Sequence, residues 1–296
     1  MRNYLLDIAE KYPNVYLGLN EKLIRIIKSA YRDIKNSIGA KDFRRLVNLK
    51  KANVSSIVSG DQCPSLKFID AISKCVNWNF WDLIYEHAEY LRCKTNRTKI
   101  KIPKYLTTDL AYLLGALRDG SMTHYTNVYE IEISQKFKDW LVNSIAPRLE
   151  RLFGIQTQIK VLKRKPNNAF AIRLRSVALY TILKILSGYE RYNFLTPRII
   201  LDANFDLKRY YIAGYYDAEG RKNKSNIQFY QNWNDNSGCP SLIDIKNFLL
   251  SRGIRTSLTY HKQENYEAYI YVLYVKSESR SKFLEEIPLE HPRMFE

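Results

Sequence analysis

A run that occurs twice limits most what this chain can become: "YIAGYYDAEG" from Tyr211 to Gly220 and "YLLGALRDGS" from Tyr112 to Ser121. Each is apolar, carries a glycine and closes on an acid and a second glycine. The two leading tyrosines stand 99 positions apart (211 − 112), as do Gly154 and Gly253 within "RLFGIQTQI" and "LSRGIRTSL". The pattern between these landmarks also recurs. Tyr112 to Leu117 is an apolar helical run, "NVYEIEIS" alternates like a strand, and "FKDWLVNSIAPRLERLFGI" returns to helical spacing. "QTQIKVLK" and "AFAIRLRS" then read as a strand pair around "RKPNN", and "VALYTILKILSG" as a helix. After Tyr211 the order repeats through "NIQFYQNW", "CPSLIDIKNFLLSRGI", "TSLTYHK", "EAYIYVLYVK" and "SRSKFLEEIP". Internal duplication is the simplest account, and a duplicated unit tends to build a pseudo-two-fold body.

Small residues such as Ala213 and Gly214 let helix backbones approach closely. If the two repeat helices pack together, Asp119 and Glu219 meet near the pseudo-axis. Adjacent carboxylates repel, and a divalent cation relieves that repulsion. A hard oxygen site that accepts water and phosphate oxygens suits Mg²⁺. Such a site can activate water and stabilise the departing 3′ oxygen in phosphodiester cleavage. The plainer alternative is two solvated acids at helix ends, although an acid there opposes the helix dipole.

The second run, Ile212 to Gly220, resembles the LAGLIDADG motif of homing endonucleases at every class-defining position. The first, Tyr112 to Gly120, is looser: Gly115 falls one position late, and Leu114 and Arg118 stand where small residues are usual. This argues against tight helix packing on that side. The resemblance runs from about Tyr105 onward. It implies an α+β fold, a duplicated αββαββα body with pseudo-two-fold symmetry. The motif helices would form the interface between half-domains, and two curved antiparallel sheets would lie along the DNA major groove. It also gives Asp119 and Glu219 the metal role, with two or three divalent ions, Mg²⁺ here, shared between the carboxylates and DNA. Asp217 is left to capping or packing. Gln135 and Gln231 early in each half, and Arg175 and Lys276 late in each half, are the candidates for organising water and steadying phosphate.

Strand alternation selects the groove-facing set. In the first half it is Glu130, Glu132, Ser134, Lys160, Arg173 and Arg175; in the second, Gln228, Tyr230, Thr259 and His261. The same pattern marks any strand with one wet face. Lys163, Arg164 and Lys165 near a turn, and Arg221, Lys222 and Lys224 after the second motif, are placed for backbone phosphates. His87, His124, His261 and His291 are too scattered for a zinc site.

Ahead of the duplication, Glu21 to Ile38 has helical spacing, and Asp42 and Ser65 are candidate caps for the segments at Phe43 and Leu66. "FRRLVNLKKANVSSIVSGDQCPSLKFIDAISKC" resembles the helix-turn-helix of phage-repressor-type domains. Phe43 to Asn48 would be the scaffold helix and Lys51 to Ser59 the recognition helix, with Lys51, Asn53, Ser55 and Ser56 facing the groove. Leu49 and Lys50 replace the small turn residues that family uses, and a helical packing module is the alternative. The expected division is an all-α domain at 1–95, a basic linker at 96–106, half-domains at 107–187 and 207–296, and a connector at 188–206.

Charge fits this reading. Against 30 Asp plus Glu stand 47 Lys plus Arg, a net charge of +17. Such an excess points to a polyanionic partner, nucleic acid before acidic membranes. No apolar run reaches the length of a membrane span, and the N-terminus is no signal peptide. Cys63, Cys75, Cys93 and Cys239 match no zinc or disulfide framework, so a reducing, cytoplasmic and nucleoid-associated setting is expected. Met1 and "HPRMFE" lack the residues of a protein-splicing junction, so an intein is not expected. The expectation is a monomeric, site-specific, Mg²⁺-dependent endonuclease on a long duplex site. The alternatives are a related DNA-binding regulator without cleavage, or a cofactor for intron RNA splicing.

Overall fold

In the computed structural model, residues 4–12, 15–93, 98–126, 128–157, 159–162, 169–190, 194–223, 226–262 and 268–292 are described. The chain divides into two compact units: 1–104 with 176–185, and 105–175 with 186–296.

The first unit begins with α1 (Tyr4–Lys11), β1 (Val15–Leu17) and α2 (Glu21–Ser37). Helix α2 buries Leu23, Ile27, Ala30 and Ile34, one stripe at helical spacing, and Asn20 caps its first turn through the Leu23 amide. Then come α3 (Ala40–Val47), α4 (Lys51–Ser59), α5 (Leu66–Ser73) and α6 (Phe80–His87). Phe43, Phe68 and Ile69 are buried among these helices. Ser65 caps α5, accepting from the Phe68 amide at 3.2 Å. Asp42 caps nothing: α3 starts three residues before Phe43, at Ala40, and Asp42 pairs with Arg45 inside its first turn.

The unit is not all-α. Strands β2 (Tyr90–Cys93) and β3 (Ile100–Lys101) join β1 in an antiparallel sheet of order β1-β2-β3. The basic segment read as a linker is part of this unit. Ile100 is buried in the sheet, Tyr4 donates to the Pro103 carbonyl at 3.0 Å, and Tyr85 donates to the Lys104 carbonyl at 2.8 Å. Burial pushes the Lys104 ammonium down to about 8, against the opposing pull of Glu89 and Glu86.

The second unit opens with α7 (Thr108–Ala116), which tightens into a 3₁₀ turn at Leu117–Asp119. Strands β4 (Gly120–Tyr125) and β5 (Val128–Gln135) follow, then α8 (Lys138–Trp140), a π turn at Leu141–Ile145 and α9 (Ala146–Phe153). After β6 (Ile159–Leu162) and β7 (Ala169–Arg175) comes α10 (Val177–Ser187), most of which belongs to the first unit. The second pass has α11 (Arg198–Leu201), α12 (Phe205–Glu219), β8 (Arg221–Asn223), β9 (Asn226–Trp233), α13 (Pro240–Leu250), β10 (Thr256–Lys262), β11 (Tyr269–Val275) and α14 (Arg280–Glu286).

The two sheets have the same topology, β4-β5-β7-β6 and β8-β9-β11-β10, with every described neighbour pair antiparallel. In each, the strand after the motif glycine is the outer one, and the third strand in sequence lies at the far edge. Between the sheets α7 packs on α12. A Cβ on Gly115 would lie 2.2 Å from the Tyr211 carbonyl oxygen and 2.7 Å from the Tyr215 nitrogen. One on Gly214 would lie 2.0 Å from the Tyr112 carbonyl oxygen and 3.1 Å from the Ala116 nitrogen. Adding 99 to Tyr112 and Ala116 gives Tyr211 and Tyr215, so the contact is self-complementary, as a two-fold interface requires.

Packing is therefore close on both sides, contrary to the expectation from the looser first motif. Each glycine follows its leading tyrosine by three residues. The missing residue lies between glycine and acid, four positions in the first motif (115 to 119) against five in the second (214 to 219). The 3₁₀ turn occupies that shortened stretch.

Candidate metal centre and nucleic-acid faces

Both motif acids stand at a helix-to-strand junction. Asp119 ends the 3₁₀ turn and Gly120 begins β4; Glu219 ends α12 and, after Gly220, Arg221 begins β8. Both carboxylates are half-buried. Ile131, Ile133 and Gln135 share the face of β5 that is turned to the helices. Gln135, last on the strand, reaches the motif ends. Its Nε2 donates to Asp119 Oδ2 at 2.7 Å and to the Ala218 carbonyl at 2.9 Å. One amide thus ties the first acid to the residue before the second.

Gln231 does not mirror Gln135. It is buried on the core face of β9, where Oε1 accepts from the Tyr215 hydroxyl at 2.7 Å and Nε2 donates to the Asn232 carbonyl at 2.9 Å. Its polar atoms are held inside the second half. Arg175 is on the wet face of the first sheet and donates to Glu130 at 2.7 Å. Lys276 is exposed just past β11.

Sequence reasoning passed over Arg118. It occupies the register position of Asp217 in the other motif, 99 residues away, so the pseudo-axis relates a cation to an anion. The Arg118 guanidinium lies 4.9 Å over the Phe194 ring. Burial works against its charge, but Tyr215 and Glu219 outweigh burial and hold its pKa above the ordinary arginine value. Asp217 is fully buried and accepts from the Tyr112 hydroxyl at 2.6 Å and from the Glu290 amide at 2.8 Å. Trp140 donates to Tyr112 in turn, and Arg148 pairs with Glu290 and Asp109. The 99-residue register was the signal that could have found the correspondence of Arg118 with Asp217; locally Arg118 stood out only as a large residue at a small-residue position.

Cross-strand pairing settles which residues share a face. On the first sheet, Glu130 is opposite Arg175 and Thr123, Glu132 opposite Arg173 and Ser121, and Ser134 opposite Ala171, which faces Lys160. All six residues expected from alternation lie on this face. Its arginines are engaged: Arg173 donates to Glu132 at 2.7 Å through Nε, and Arg175 pairs with Glu130. Beside Asp119 this face holds a cavity of ≈ 390 Å³, lined by Ser121, Thr123, Glu132, Ser134 and Tyr189 among others. Tyr189 closes one side by donating to the Gly120 carbonyl at 3.0 Å.

On the second sheet, Gln228, Tyr230, Thr259 and His261 also share one face, with Arg221 opposite Gln228. Gln228 is buried and accepts from the Tyr230 hydroxyl, whereas Thr259 and His261 are exposed. Lys163, Arg164, Lys165 and Lys224 lie outside the described residues, as do the side chains of Arg221 and Lys222. In the first unit, Lys51, Asn53 and Ser55 are exposed on α4, and Ser56 is half-buried. The turn before α4 runs through Asn48 in the left-handed conformation (φ 51°), so Leu49 and Lys50 need not be small.

No cluster of three or more His, Cys, Asp or Glu able to hold an ion occurs among the described residues. What the motif ends supply is the Asp119 carboxylate, tied through Gln135 to the Ala218 carbonyl one residue before Glu219, a hard oxygen set too small to enclose a cation. That fits a divalent ion that keeps waters and takes its remaining oxygens from a phosphate. No described helix is long and apolar enough to cross a membrane.

A family model described as a LAGLIDADG-like domain matches residues 206–288. The chain is 32% identical over 122 residues to homing endonuclease I-ApeI of Aeropyrum pernix, covering 39% of this chain and 54% of that one. It is 23% identical over 230 residues to a glutamine–fructose-6-phosphate aminotransferase of Methanocaldococcus jannaschii, covering 74% of this chain and 19% of that one. It thus spans about half of the first relative and a fifth of the second. Among solved structures, I-DmoI in complex with DNA and Ca matches at TM-score 0.48 and 23% identity, over 62% of this chain and 91% of that chain. I-WcaI bound to its DNA recognition sequence matches at TM-score 0.42 and 13% identity, over 64% and 85%. The stretch that the LAGLIDADG-like model matches, residues 206–288, holds nearly all of α12, the β8-β9-β11-β10 sheet and α14.

Proposed function

We propose that this chain is a site-specific endonuclease of duplex DNA, acting as a monomer with divalent metal held by Asp119 and Glu219. The observation that carries this is the Gln135 amide, which binds Asp119 and the carbonyl of Ala218 together across the α7–α12 contact. The similarity of the chain to a homing endonuclease supports it.

When bound, Mg²⁺ would lower the pKa of a water and neutralise charge developing on the departing 3′ oxygen. The chain's own part is to orient its donors. Gln135 fixes the orientation of the Asp119 carboxylate. Arg118 balances the Glu219 charge from within the interface. The wet faces of the two sheets would lie along the duplex, with the cavity beside Asp119 next to the scissile phosphate. Strand-borne Glu–Arg pairs such as Glu132–Arg173 present a fixed donor and acceptor pattern to base edges.

The test is incubation of the full chain with a randomised duplex library and Mg²⁺. A defined double-strand break is expected. Asp119→Asn and Glu219→Gln should each abolish the break while sparing duplex binding in EDTA, and should weaken Ca²⁺ uptake by the DNA complex in calorimetry. A footprint without any break would favour a binding protein, and preference for folded RNA at fixed salt a splicing cofactor.

A further inference from the structure

The notch between α3 and α4 has a composition that none of the roles above uses. It is a cleft of ≈ 450 Å³ lined by Lys41, Arg44, Arg45, Asn48, Leu49 and Lys50. Four of these six are cations, and among the described residues lining it none is acidic. The backbone creates this arrangement. Lys41, Arg44 and Arg45 come from successive turns of α3, and the left-handed Asn48 reverses the chain so that Lys50 returns to the same notch. Of the four, Arg45 is partly engaged by Asp42 at 3.3 Å, with both side chains mostly exposed. Such an exposed pair is weak and gives way easily to a stronger anion.

Four cations around one concavity repel each other. Folding tolerates that on a wet surface, but the repulsion is relieved most by an anion with several oxygens. The adjoining face of α4 is different: Lys51, Asn53 and Ser55 are short or singly charged groups. Charge is therefore concentrated in the cleft and sparse on the helix beside it.

We propose that this cleft binds the phosphates of duplex DNA, giving the N-terminal unit a grip that is independent of sequence. It rests on the duplex-DNA reading above and adds a site to it. Phosphate contacts set register and affinity, and base contacts set sequence choice, so the two are separable by experiment.

The experiment measures binding of the full chain to fluorescein-labelled duplexes of three unrelated sequences by anisotropy, in EDTA, from 50 to 300 mM KCl. Arg44→Gln with Lys50→Gln removes two cleft charges. Lys28→Gln with Lys35→Gln removes two exposed charges from α2 as a matched control. Each lost phosphate contact lowers the slope of log K against log salt by about 0.9, so the cleft pair should lower it by about 1.8 for all three duplexes. The control should change it by less than half of that, and the charge-keeping pair Arg44→Lys with Lys50→Arg should retain it. Circular dichroism of each variant checks folding. An unchanged slope, an equal change in the control, a loss confined to one duplex, or no duplex binding by the parent chain would overturn the cleft. Binding with the expected slope change but no metal-dependent break would remove the nuclease reading and leave the cleft standing. A parent chain that cuts DNA while its slope ignores the cleft would do the reverse.

Discussion

Gly115 and Gly214 sit where each helix presses on the other's backbone, and neither position has space for a methyl group. Alanine at Gly214 would place Cβ 2.0 Å from a carbonyl oxygen, and backbone cannot yield as a side chain can. Gly214→Ala should therefore destabilise the chain by about 1–3 kcal/mol or more, read as a lower urea midpoint. Combining it with Gly115→Ala should cost less than the sum, because both changes part the same two helices. The Gly214 motif was legible in the sequence at once. Gly115 was misjudged because it was counted from the acid rather than from Tyr112, and only a helix that tightens before its end reconciles the two counts. Arg118 was passed over, and Gln231 placed at the site, for a related reason. Residue type and strand position do not say whether a polar side chain meets the site or a neighbour in the core.

Each motif element works as a helix delivering an acid to the first residue of a strand, and Gln135 closes this junction from β5. Gln135→Leu keeps the bulk but loses both hydrogen bonds, so cleavage should fall 10–100-fold with duplex binding retained. A second prediction concerns α7 and α9. Arg151 donates to Asp109 at 2.8 and 2.9 Å and holds that carboxyl below its ordinary value, with Arg148 adding to the effect and burial opposing it. With the folded pKa below the unfolded one, the stabilisation is complete above the unfolded value of about 3.9. It is lost as pH falls through the folded value. Asp109→Asn should flatten the fall of Tm on acidification below about pH 4 and lower Tm at neutral pH. Replacing Arg148 by Met should be costlier, about 3–5 kcal/mol, because it takes one buried guanidinium from both Glu290 and Asp109. Strand faces were legible, since alternation alone sorted the wet residues. The three-stranded sheet of the first unit was not, because its strands are two to four residues long and come from distant parts of the chain.

Across the whole molecule, the units do not follow the order of the chain. Residues 176–185, which hold most of α10, belong with the N-terminal unit, and Ala178, Leu179, Tyr180, Ile182 and Leu183 are buried. A fragment beginning at Tyr105 would leave these side chains without the rest of their unit. It should aggregate or unfold at lower temperature than the full chain, seen by size exclusion and thermal scanning, even if its motif helices pair normally. A cut at the linker inferred from sequence would fare no better, because that segment supplies a strand and two hydrogen-bond acceptors to the same unit.

Local pattern was enough to show the duplication, the two acid-ended helices, the wet faces of the strands and the basic balance of charge. These depend on spacing and residue type, which a linear string records in full. Only the folded chain decided that Gly115 and Gly214 meet reciprocally, that Gln135 rather than Gln231 reaches Asp119, and that Arg118 lies over the Phe194 ring while Asp217 accepts from Tyr112. It also decided that α10 leaves its own repeat. Each of these depends on which surfaces touch, and contact between residues about 100 positions apart is set by the packing of whole elements.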